Sequence, residues 1–107
     1  MKTKHLLEKL CEVTGTGKLQ WERTAGHDFR YRASFLAYAA CIVQIRKNGT
    51  ESYLLALTAG PLCTKVDIRD DPETKHLLST LYSTAQSQAT AKAVAAALLV
   101  LNEYSEQ

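Results

Sequence analysis

Arginine, histidine and tyrosine crowd one part of the chain: Arg23, His27, Arg30, Tyr31, Arg32, Tyr38, Arg46 and Lys47 all lie between positions 23 and 47. Guanidinium forks match the geometry of phosphate and carboxylate oxygens, and tyrosine rings offer stacking faces. These eight residues are therefore the candidate binding set, suited to an anionic, nucleotide-like small molecule or to an acidic protein surface. The plainer alternative, a solvated sheet face, would use the same residues and stays open at this point.

Other chemistries fit less well. Cys11, Cys41 and Cys63 are odd in number, widely spaced and set among apolar neighbours. That pattern reads as reduced core thiols in a cytoplasmic setting, and not as a disulfide framework or a zinc site. His5, His27 and His76 are distant from one another and from every cysteine, so no metal and no cofactor is expected. Gly15-Thr16-Gly17-Lys18 has the look of a phosphate loop, but Glu12 stands where its first glycine belongs and Leu19 where its Ser or Thr belongs. It reads as a helix terminator. Asp70 and Asp71 read as a helix cap, and Trp21 as a plug over the core. No catalytic residue is assigned. An enzyme would need Cys41, Cys63 or His27 to be assembled into a pocket by folding.

The elements that must position these residues follow from pattern. The chain has 107 residues, of which 46% are hydrophobic and 22% charged, which fits one globular domain over 1–107 and argues against disorder. Net charge is +2, too small to announce a nucleic-acid protein. It is unevenly placed: residues 1–50 hold nine bases against four acids, a net of +5, and the remainder nets −3. Nothing at the start reads as an export signal, and the most apolar window, residues 93–101, is far shorter than the roughly 20 residues of a bilayer span.

Thr3 can cap a first helix carrying Leu6, Leu7, Leu10 and Val13, stopped at Gly15 to Gly17. From Phe29 the period becomes two: Phe29, Tyr31, Ala33 and Phe35 alternate with Arg30, Arg32 and Ser34. Cys41 to Ile45 and Tyr53 to Leu57 make two further strands, joined as a hairpin through Asn48-Gly49, whose residues tolerate the positive φ of a type I′ turn. Leu62, Thr64, Val66 and Ile68 suggest a fourth strand or a bent continuation. Pro72 and Glu73 then open a long helix whose stripe, Leu78, Leu81/Tyr82, Ala85, Ala89, Lys92/Ala93, Ala96, Leu99/Val100, holds its phase to the end. The fold class is thus α+β: an N-terminal helix, an antiparallel sheet of three or four strands, and a long C-terminal helix packed on one face.

That helix is longer than the sheet it packs on, so it must overhang, bend or break, and the polar residues 83–90 are where a break costs least. Residues 93–101 are apolar around nearly the whole circumference, which calls for two packing partners. A homo-oligomer interface through Ala93, Ala97, Leu98 and Leu101 is expected.

Gly17-Lys18-Leu19-Gln20-Trp21, Tyr53-Leu54-Leu55-Ala56-Leu57, and Leu78-Ser79-Thr80-Leu81-Tyr82 with Ala85, in this order of elements, resemble a diffuse group of small bacterial and mobile-element proteins. The resemblance implies helix, three-stranded meander and long helix, and carries no catalytic residues. Leu36-Ala37-Tyr38-Ala39-Ala40 departs from it, since a glycine-containing turn is usual there. The functional expectation is a non-enzymatic, homo-oligomeric binding protein that captures an anionic nucleotide-like ligand or a protein partner. In its specific form it is a phage or mobile-element inhibitor of host defence. The alternatives are a nucleic-acid-binding regulator using the same arginines, with strongly salt-dependent affinity, and a small enzyme with a Cys/His site.

Overall fold

A computed structural model describes residues 2–66 and 72–106. The elements are α1 (Lys2–Gly15), β1 (Glu22–Arg23), β2 (Arg30–Phe35), β3 (Tyr38–Lys47), β4 (Thr50–Ala59), β5 (Leu62–Lys65) and α2 (Pro72–Ser105). The strands form one antiparallel meander in chain order. Both helices lie on one face of it, as their shared core cluster requires. One strand exceeds the expected count: β1 is two residues long, too short for alternation to reveal it. Thr3, expected to cap α1, falls inside that helix, which begins at Lys2, while the Asp70 and Asp71 cap and Ile68 of the fourth strand lie outside the described residues.

Glycine chemistry closes α1. Gly17 takes φ +80°, and the amides of Thr16 and Gly17 bond to the Glu12 and Thr14 carbonyls at 3.1 and 3.0 Å. The phosphate-loop lookalike is thus a helix end, with its amides spent on capping. Asn48 (φ 53°) and Gly49 (φ 78°) make the β3–β4 turn, with Lys47 opposite Thr50.

The core joins Leu7 and Leu10 of α1, Tyr31, Ala33, Ala40, Ile42 and Leu55 of the sheet, and Leu78, Leu81, Tyr82 and Ala85 of α2. Trp21 is 0% exposed and donates its indole N–H to Thr14 Oγ1 at 3.0 Å, which satisfies the polar end of an otherwise apolar plug. Gln88 fastens the same corner: its Oε1 accepts from the Trp21 amide at 2.8 Å, and its Nε2 donates to the carbonyls of Thr14 and Leu19, each at 3.2 Å.

Residues 83–90 contain no break. Thr84 returns its hydroxyl to the Thr80 carbonyl at 2.9 Å, and Gln88 spends its polarity on the loop after α1. The 34 residues of α2 therefore run on as one helix, about 51 Å long at 1.5 Å per residue, in a molecule 57 Å in its longest dimension. Of the three ways to fit a long helix on a short sheet, the chain adopts the overhang.

Candidate binding surfaces

Register decides where the basic residues go. Arg32, Cys41, Ala56 and Lys65 are paired across β2 to β5, and Arg30 is paired with Val43 and through it with Leu54. Paired residues share a face, and this is the face opposite Tyr31, Ala33, Ile42 and Leu55. No described element covers it. Arg30, Arg32 and Lys65 thus stand on an open sheet face around a part-buried apolar centre of Cys41, Val43, Leu54 and Ala56.

The expected binding set divides. Arg23 and Arg32 border one hollow of about 350 Å³ with Gln20, Glu22, Thr24 and Ser34. His27 and Arg30 border a second, of about 260 Å³, with Asp28, Phe29 and Val43. The two hollows share no lining residue, and Arg23 is paired with Tyr31 of the helix side, so these four residues stay in two groups near the corner where β1 meets β2. Arg46 lies on the helix side of the sheet, 5.5 Å from the centre of the Phe29 ring and 3.3 Å from Glu51. Lys47 flanks the β3–β4 turn. Tyr31 is 4% exposed and meets Tyr82 edge-on in the core, while Tyr38 stacks on Phe35 at the far end of the sheet. The corner also carries acids: Asp28 lies 4.0 Å from Arg23, and Glu22 pairs with Lys92 at 3.6 Å.

Two polar atoms at this corner, Thr24 Oγ1 and Arg30 Nε, are buried with no hydrogen-bond partner, although the Thr24 amide bonds to the Arg30 carbonyl at 2.9 Å. A buried polar atom without a partner costs free energy; both of these are closed to solvent, as is the Tyr82 hydroxyl in the core, so the cost is carried within the fold. Sequence reasoning named Arg30 but missed Thr24, which has no sequence signal of its own.

Two of the three thiols, Cys11 and Cys41, are held back as nucleophiles by burial. Burial pushes the Cys41 thiol up despite the opposing pull of Arg30 and Arg32, with Cys63 adding to the rise, and burial alone pushes Cys11 up. Cys11 donates to the Leu77 carbonyl at 3.5 Å, and Cys63 is exposed. Among the described residues no group of three potential metal ligands converges, and no helix is long and apolar enough to cross a membrane.

The largest uncovered apolar surface is on α2. Every residue from 90 to 106 is exposed, including Val94, Leu98, Leu99, Val100, Leu101 and Tyr104. At the base of this segment Ala89, Ala93, Val94 and Ala97 face Glu22, Arg23 and Tyr31 across a groove of about 590 Å³. Of the expected interface residues, Ala93 and Ala97 line this groove, and Leu98 and Leu101 are exposed on the helix beyond it.

Comparison with protein-family models, with curated proteins and with solved structures finds no match to this chain.

Proposed function

We propose that the protein is a non-catalytic binding protein that acts as a homo-oligomer, joined through the outer half of α2 and capturing an anionic ligand, or an acidic partner, at the arginine corner of its sheet. The observation that carries this reading is the outer half of α2. Six large apolar side chains stand exposed together along one helix, the kind of contiguous apolar surface that marks an interaction site. The second support is the open sheet face, where Arg30 and Arg32 stand beside two polar hollows, one of them also bordered by Arg23. A phage or mobile-element inhibitor that sequesters a nucleotide-like signal is one specific form of this function.

Non-denaturing mass spectrometry of freshly purified protein tests both parts in one spectrum. The expected result is a multimer carrying extra mass that is lost from an Arg30→Glu/Arg32→Glu variant. A multimer without extra mass moves the search to protein partners. A bare monomer overturns the reading.

A further inference from the structure

The outer half of α2 carries a register for pairing with itself. Its uncovered face, Ala96, Leu99 and Val100, continues the stripe that Leu78, Leu81, Tyr82 and Ala85 bury in the inner half. Within residues 91–105 only two residues are charged, Lys92 and Glu103. They are 11 positions apart, close to three turns at about 3.6 residues per turn, so they bracket this one face with opposite charges at its two ends. We infer that two copies of the chain pair their α2 segments antiparallel along this face, Lys92 of each copy opposite Glu103 of the other.

The alignment has consequences along the whole contact. Ala96 of one copy faces Leu99 of the other, so a small side chain meets a large one on both sides of the two-fold axis. The apposed length, Lys92 to Glu103, takes up the exposed stretch, and the second helix runs out where the first copy's body begins, at the Glu22 that holds Lys92 at 3.6 Å. A parallel pair would set Lys92 against Lys92 and Glu103 against Glu103. Charge complementarity therefore selects both the occupant and its direction.

This inference rests on the reading of α2 as an oligomer contact, and charge reversal separates the two. Sedimentation velocity over a concentration series is run on the full chain in a Glu22→Gln background, so that a reversed residue 92 meets no like charge in its own chain. Glu103→Lys should weaken association about tenfold by setting Lys92 against a lysine at both ends of the contact. Lys92→Glu/Glu103→Lys should restore it to within about threefold. Circular dichroism checks that helix content is unchanged, as substitution at two exposed positions predicts. A protein monomeric at every concentration overturns the oligomer reading itself. An oligomer indifferent to Glu103→Lys, or not rescued by the double reversal, overturns the antiparallel register and leaves that reading standing.

Discussion

The inner and outer halves of α2 belong to one unbroken helix and obey opposite rules. From Thr74 to Ala89 the apolar residues keep to one stripe, and Lys75, Ser83, Gln86 and Ser87 face water behind it. That half is fully partnered, by α1 through Leu7 and Leu10 and by the sheet through Tyr31, Ile42 and Leu55. Residues 93–101 contain no polar side chain, and nothing described packs on them. Amphipathicity thus marks a segment its own chain covers, whereas the all-round apolar segment is the one that the proposed oligomer would cover.

Matched truncations break this comparison most sharply. Leu81→Ala should cost about 2–5 kcal/mol in denaturant unfolding at any protein concentration, because Leu81 is fully buried. Leu99→Ala, at a site 68% exposed, should leave the monomer's stability within about 0.5 kcal/mol and weaken only concentration-dependent association. If Leu99→Ala destabilises a dilute monomer as Leu81→Ala does, the two halves do not differ as described.

Gln88 marks the boundary between them. Gln88→Ala strips a partner from the Trp21 amide and from the carbonyls of Thr14 and Leu19, and should cost about 1–3 kcal/mol. Hydrogen exchange should then quicken first at Trp21 and in the last turn of α1.

Alkaline titration probes the inner half alone. Burial raises the Cys11 thiol against α2, so the folded state holds that proton more tightly than the unfolded chain does. Its contribution to stability is present below the unfolded thiol's pKa of about 8.5 and is lost as pH rises from there through the raised folded value. Cys11→Ala should flatten that slope in unfolding measured from pH 7 to 10, while alkylation at pH 8 should reach exposed Cys63 before Cys11 or Cys41.

The smallest effect lies in the β2–β3 turn. Leu36 has φ 56° and is fully exposed, where the matching position of the β4–β5 turn holds Gly60 at φ 60°. An L-residue in that region costs about 1–2 kcal/mol, so Leu36→Gly should stabilise by somewhat less, about 0.5–1 kcal/mol by thermal unfolding, after the entropy glycine adds to the unfolded chain. The glycine-free turn is accommodated by strain at one residue, and the strands pair in register from Phe35 and Tyr38 to Arg30 and Val43.

Local pattern made most of the fold legible. Alternation in Phe29 to Phe35, Asn48-Gly49, the Gly15 to Gly17 stop and Pro72 each act through a few neighbouring residues, and each holds in the structure. β1 was not legible, since two residues carry no period. The binding set was legible as a composition but not as a place: Arg23 and Arg32 border one hollow and His27 and Arg30 another, while Tyr31 faces the core and Arg46 the helix side. Thr24 and Gln88 gave no signal, because their roles depend on atoms far away in sequence.

By itself the sequence determined most of which residues are helical or extended, which faces are apolar, and that residues 93–101 are apolar all round, because each of these depends on side-chain type at short spacing. Tertiary structure alone decided that α2 runs unbroken past its sheet, that Gln88 locks the loop after α1, and that the arginines divide between two faces. These depend on strand register and on hydrogen bonds between residues more than 60 positions apart, which no local pattern encodes.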